Sequence, residues 1–311
     1  MNKISYLYKL KNVAGKAIII SAVLIFCSGV NGFSASKKSE TIRTKNSDDD
    51  EDTSVLKVGY TVRMEGQGIG CALFVNGIPA MDNDYPGVSN RMINPLLITG
   101  KNTFKLLTLP VDAETQKQED WLESDKFCKV SISSFQNKGK FENKLVTESE
   151  VKLTKPDGVD STNGSFAVTL VYPTPLWTNS AKIGKDAATQ QKILAKYKEF
   201  YNLLLKKDIN GISKLSTVKF KQYANSMYNP NYGAEIIESL KEQLASKDQL
   251  IGIDVQAKNG LKYEYYYGDR LVSIKNNEDR SIIQYYDNVY GVTTQYPLFF
   301  YFDGVDFVLV L

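Results

Sequence analysis

The 311 residues contain no histidine. That absence removes Ser-His-Asp and Cys-His nucleophilic centres, together with every histidine-ligated metal site. Cysteine is scarce as well. Cys27, Cys71 and Cys128 are too few and too widely spaced to form a cysteine metal cluster. No glycine-rich loop of the phosphate-cradling type occurs. Acid–base chemistry by a carboxylate pair survives these exclusions, but no spacing singles out two of the 35 acids. The expectation is a protein with no cofactor and no bound metal.

A surplus of positive charge is also missing, once its position is considered. The chain carries a formal +3, yet residues 1–32 hold four lysines (Lys3, Lys9, Lys11, Lys16) and no acid. The remaining 34 basic residues face 35 acidic ones. A nucleic-acid binder needs a clustered positive surface to displace counterions, so nucleic acid is not an expected partner.

The lysine-rich start is followed by an uncharged run, AIIISAVLIFCSGV at 17–30, and by the short residues Val30-Asn31-Gly32. These are the three parts of a signal peptide, with a cut after Gly32. As a helix the run spans about 21 Å, short of the ~30 Å hydrocarbon core. The uncharged stretch extends to Ser36, which leaves an uncleaved membrane anchor as the alternative. Phe26 stands before Cys27 where a lipoprotein signal wants a small residue, so lipidation is not expected. The expected location is the bacterial periplasm or the exterior, with no stable membrane span after processing. In such an oxidising compartment Cys71 and Cys128, each inside a predicted strand, are disulfide candidates; two buried thiols are the alternative.

Residues 33–54 are almost without apolar side chains and end in the acidic run Asp48 to Asp52. They lack the glycine turn and distal glutamate of a calcium loop and read as a solvated tether. Residues 55–172 read as strands: VLKVGYTVRM, IGCALFVNG, PLLITG, NTFKLLTL, FCKVSISSF, KLVTESEVKL and SFAVTLVY. Asn76-Gly77, Gly100-Lys101 and Asp157-Gly158 are the turn signals. This pattern predicts an all-β sandwich, immunoglobulin-like or jelly-roll-like. The phrase ITGKNTFKL at 98–106 resembles a hairpin of carbohydrate-binding and immunoglobulin-like sandwiches. Asp82-Asn83-Asp84 before Pro86 offers oxygen ligands but fits an Asx-rich turn better.

Pro173, Pro175 and the polar residues to 187 read as a linker, with Trp177 an anchor on one side and few core contacts crossing. From 188 the code turns helical. Asp186 is a candidate N-cap, and Ile193, Tyr197, Phe200, Tyr201 and Leu204 form one apolar stripe. Asp208 leads a second helix; a third falls within 218–228, and Ile236, Ile237, Leu240 and Leu244 mark a fourth. After 247 come IGIDVQA, LKYEYYY, RLVSIK, SIIQYY, PLFFYF and VDFVLVL, punctuated as an antiparallel meander. Helices followed by such a meander predict an α+β domain.

The helix ending FYNLLLKKDINGISKL at 200–215, its polar turn with Asp208, and the aromatic-rich strands resemble the NTF2-like superfamily over 188–311. That resemblance implies a cone with a pocket between sheet and helices, used by relatives for catalysis, for ligand binding or for neither. Relatives that catalyse pair an aspartate base with a tyrosine donor there. Asp254, Tyr263, Glu264, Tyr265 and Tyr267 are the residues that such a pocket would use here; the alternative is a packed tyrosine face.

The expected function is therefore an exported, non-enzymatic two-domain protein that binds a periplasmic protein partner. Neutralising an interbacterial toxin, as an immunity protein does, is one such role. A small-ligand or acid–base cone and a carbohydrate-binding envelope protein are the rival expectations.

Overall fold

The computed structural model describes residues 57–83, 86–109, 125–137, 141–155, 158–245, 249–251, 260–277, 279–287 and 292–311. The export signal, the tether, Asp84 and Asp254 lie outside these residues.

Among the described residues the first half has eight antiparallel strands: β1 (Lys57–Gln67), β2 (Cys71–Val75), β3 (Ile78–Asn83), β4 (Gly87–Met92), β5 (Gly100–Thr108), β6 (Phe127–Asn137), β7 (Phe141–Lys152) and β8 (Ser161–Val168). They form two four-stranded sheets in the orders β4-β1-β6-β7 and β3-β2-β5-β8. Inward residues recur at every second position, as Val58, Tyr60, Val62 and Met64 do on β1. Both sheets feed one apolar cluster, with Val130 and Ile132 from β6 meeting Leu73, Val75, Phe104 and Leu106 from β2 and β5.

The Cys71–Cys128 disulfide joins β2 of one sheet to β6 of the other. Both sulfurs belong to fully buried residues. Gly66 stands opposite Cys128 in the β1–β6 register, and a Cβ there would lie 2.9 Å from Cys71 Sγ and 2.5 Å from the Ile69 carbonyl. The glycine makes room for the bridge. Two other strand glycines sit under rings: Gly59 opposite Phe135 and Gly164 opposite Phe104. Each aromatic covers the backbone that the missing side chain leaves bare.

Asn76-Gly77 closes the β2–β3 hairpin with φ of 52° and 76°, the two left-handed residues of a tight I′ turn. Two sequence expectations need correction. The stretch PLLITG is not a strand; Asn94–Leu96 is a 3₁₀ turn with Pro95 in its first positions, where a missing N–H costs nothing. Strands β3 and β4 are not expected from the sequence: β3 takes in Asp82 and Asn83, β4 begins at Gly87, and Asn83 accepts a hydrogen bond from Ser89 Oγ at 2.6 Å across them. Among the described strands, β1 and β2 lie in different sheets, whereas the first two strands of an immunoglobulin sandwich share one.

The second half is α+β. Four helices come first: α1 (Ala187–Leu205), α2 (Ile209–Leu215), α3 (Thr217–Met227) and α4 (Tyr232–Ala245). Asp186 caps α1 by accepting from Thr189 N at 2.9 Å, and Asp208 caps α2 by accepting from Gly211 N at 2.9 Å. Seven strands follow: β9 (Gln249–Ile251), β10 (Lys262–Tyr266), β11 (Leu271–Lys275), β12 (Gln284–Asp287), β13 (Val292–Gln295), β14 (Phe300–Phe302) and β15 (Phe307–Leu309). The meander is interrupted. β12 and β13 leave it to pair with β9, giving sheets β10-β11-β14-β15 and β13-β12-β9. Ile193, Tyr197, Phe200 and Leu204 of α1 pack on Val272, Ile274, Phe300 and Leu309 of the first sheet.

The two halves meet across a substantial joint rather than a bare linker. The apolar cluster of the sandwich continues into Trp177, Tyr223, Tyr232, Leu271, Phe299 and Val310. Trp177 is fully buried, its ring edge-on to Tyr267 at 4.7 Å. Asn94, also fully buried, ties the joint by hydrogen bonds. Its Oδ1 accepts from Tyr60 N at 2.7 Å, its Nδ2 donates to the Ser226 carbonyl of α3 at 2.7 Å, and its own carbonyl accepts from Tyr172 Oη at 2.7 Å. Tyr228, just past α3, donates to the Val58 carbonyl of β1. The proline-rich segment thus looked like a spacer because its composition is polar, while the contacts that join the halves come from residues far away in sequence.

Candidate functional site

Of the tyrosines on β10, only Tyr266 reaches Glu264, while Tyr263 and Tyr265 point elsewhere. Successive side chains alternate between the two faces of a strand. Tyr263 and Tyr265 accordingly pack toward the cluster beneath α1, whereas Tyr266, two residues from Glu264, packs toward the cluster shared with the sandwich. Tyr267 follows in the turn with φ of 49° and faces Trp177.

Glu264 is held by cations. Its carboxylate lies 2.9 Å from Lys275 Nζ and 3.1 Å from Lys262 Nζ, and it accepts from Tyr266 Oη. Lys262 in turn pairs with Asp279. Burial pushes the Glu264 carboxyl up, but Lys275, Tyr266 and Lys262 outweigh it and hold the group below the usual carboxylate range. A group so held stays ionised at neutral pH and is a poor proton donor. The stabilisation has a definite sign. With the folded value below the unfolded one, it is fully present above about pH 4.5 and is lost as pH falls through the depressed value. Glu264→Gln should therefore cost about 1–2 kcal/mol at neutral pH, and the gap from the natural protein should close in acid. Urea unfolding at several pH values reads this, and a constant gap down to about pH 3 would contradict it.

The tyrosine hydroxyls act as ties to backbone. Tyr263 Oη donates to the Gln190 carbonyl of α1 at 3.1 Å, and Tyr285 Oη donates to the Gln243 carbonyl of α4 at 2.7 Å. Tyr197 is fully buried in the centre of the helix–sheet core. Its hydroxyl donates to the Leu298 carbonyl at 2.5 Å, accepts from Ile274 N at 2.8 Å, and lies 3.0 Å from Ser273 Oγ. Burial drives its pKa far upward. The middle of the supposed cone is thus occupied by a saturated tyrosine. Aromatic richness here supplies large apolar faces, and the polar tips of Tyr197, Tyr263 and Tyr285 meet backbone carbonyls, whereas the buried Tyr265 hydroxyl has no hydrogen-bond partner among the described residues.

A cleft does exist, but elsewhere. It lies among the helices and the 295–298 segment, lined by Phe200, Ile212, Phe220, Ile236 and Leu298, with Ser216, Lys219 and Gln295 among its polar members. Its free volume is about 50 Å³. Neither Tyr263, Glu264, Tyr265 nor Tyr267 lines it. Ser216 begins α3 yet makes no capping bond, although it is almost wholly buried.

Whole-chain charge counting concealed one feature. Residues 187–227, covering α1 to α3, carry eight lysines against two acids, while the rest of residues 33–311 has 26 basic against 33 acidic residues. The surplus was legible in the sequence as a local window, and averaging erased it.

No helix among the described residues is long and apolar enough to cross a membrane. No protein-family model matches the chain, and neither a curated protein nor a solved structure was found that matches it.

Proposed function

We propose that the protein is an exported two-domain binding protein that works in the bacterial periplasm or envelope by holding a protein partner. Neutralisation of an incoming interbacterial toxin is one role of this kind. In this reading the first half is a β-sandwich of its own topological type, and the second is an NTF2-like α+β domain whose interior is filled.

The size of the cleft carries the binding reading. Pockets for drug-sized ligands run to roughly 300–1,000 Å³. A cleft of about 50 Å³ accepts one side chain of a partner and little more. The saturated hydrogen bonds of Tyr197 and the ion pairs of Glu264 support a structural use for the residues that a catalytic cone would need. Support for export comes from the buried inter-sheet disulfide, since such bonds persist in oxidising compartments and are rare in the cytosol.

Affinity isolation of the tagged full chain from its own envelope tests both parts. The recovered protein should begin near Phe33 and carry a stoichiometric protein partner. An intact Met1 start in a cytoplasmic fraction would end the export reading, and a co-purified small molecule without protein would favour the ligand-binding alternative.

A further inference from the structure

The cleft borders the lysine-rich helices, since Phe200, Ile212, Ser216, Lys219 and Phe220 of the α1–α3 segment form part of its wall, and together these features define an interaction surface. Of the eight lysines in 187–227, Lys192, Lys198, Lys206, Lys207, Lys214 and Lys221 are exposed and make no ion pair among the described residues. Lysines on the β10–β11 face behave differently: Lys262 and Lys275 are matched by Glu264 and Asp279. Six unmatched ammonium groups, four on the helices and two in the α1–α2 turn, repel one another, which costs stability. The positive field ends at α4, where Glu235, Glu238 and Glu242 outnumber Lys241.

Resting on the proposal that the partner is a protein, we infer that the α1–α3 face binds an acidic segment of that partner, with one of the segment's apolar side chains seated in the cleft beside Ser216 and Lys219. Charge complementarity selects the acidic segment and steers it to this face. The apolar lining selects an aliphatic or aromatic anchor, the usual centre of a protein contact. Residues 187–245 contain no arginine. Lysine is a hydrated point charge with rotatable donors, so this region attracts negative charge without the fixed two-point geometry that arginine imposes. A polynucleotide has no aliphatic side chain for the cleft.

The probe is a fluorescein-labelled random copolymer of glutamate and tyrosine, compared with polyglutamate of the same length and with single-stranded DNA, by anisotropy on the intact processed protein. The copolymer should bind about tenfold or more tighter than polyglutamate, as burial of one side chain provides. Binding should weaken steeply between about 50 and 300 mM salt. Lys214→Glu with Lys221→Glu should reduce affinity for both polymers about tenfold, while Lys101→Glu with Lys105→Glu on the sandwich, an equal change in net charge, leaves it intact. Filling the cleft with Ser216→Leu should abolish the preference for the copolymer and spare polyglutamate binding. The lysine pair tests the face even if the Ser216 variant fails to fold.

Equal affinity for the two polymers would overturn the anchor and with it the inference. So would equal effects of the helical and sandwich reversals, or tighter binding of DNA than of the copolymer. Any of these would remove the helical face and leave the partner reading to stand or fall on the affinity isolation.

Discussion

Unfolded without reductant, the protein should offer no alkylatable thiol at Cys71 or Cys128, and Cys71→Ala with Cys128→Ala should cost about 4 kcal/mol of stability. The size follows from the loop that the bridge closes. A separation of 57 residues removes roughly 4 kcal/mol of chain entropy from the unfolded state, within the usual 2–5 kcal/mol for a native disulfide. The single variants should lose at least as much, because each leaves a lone thiol in the same dry site between the sheets. Denaturant unfolding measures the loss. Two reactive thiols in the unreduced protein, or a double variant within about 1 kcal/mol of the natural protein, would remove the bridge from the account of stability. Because this bond staples one sheet to the other, its loss should loosen β2 and β6 first, which hydrogen exchange in those strands would show.

The second large effect is expected at Asn94. Asn94→Ala deletes an acceptor for Tyr60 N and a donor to the Ser226 and Val58 carbonyls, all at a fully buried position. A buried polar group left without a partner costs about 1–3 kcal/mol, so the loss should reach about 3 kcal/mol or more. Its distribution matters more than its sum. Tyr60 and Val58 belong to the sandwich and Ser226 to α3, so the variant should uncouple the halves and split one unfolding transition into two. Asn94→Asp keeps the acceptor and loses the donor, and should fail at the Ser226 contact in particular. A cost below about 1 kcal/mol with a single sharp transition would mean that the apolar cluster around Trp177 and Phe299 holds the joint unaided.

The proposed export bears on the first of these experiments. A periplasmic protein meets no glutathione pool to keep its thiols reduced, so the disulfide and the signal-like start of the sequence reinforce each other physically. The proposed partner surface is independent of both. It rests on lysines that the fold leaves unmatched and on a cleft that no sequence pattern announced.

Much of the local structure was written in the sequence because local rules decide it. Asp186 and Asp208 cap their helices as their side chains predict, and Asn76-Gly77 makes the turn that its left-handed preference demands. The apolar stripe through Ile193, Tyr197, Phe200 and Leu204 marked the buried face of α1. Alternating residues on β1 and β6 fixed their inward faces, and the two cysteines stood ready for a bridge, although spacing alone left the pairing open.

Everything that depended on which surfaces meet was decided by tertiary structure. Strand order is one case: a period-two pattern tells which side of a strand is apolar and says nothing about its neighbour, so β1 and β2 could fall in different sheets unannounced. The tyrosines of β10 are another. Their composition suggested a site, but the strand's alternation sends Glu264 away from Tyr263 and Tyr265, and its charge is matched by lysines brought from Lys262 and Lys275. The joint is a third, since Asn94 and Ser226 stand 132 positions apart and only packing brings them within 2.7 Å. Short-range chemistry, the lysine-rich window at 187–227 included, is readable because its residues are adjacent in the chain, whereas the cleft and the joint arise from long-range contacts whose geometry exists only once the chain is folded.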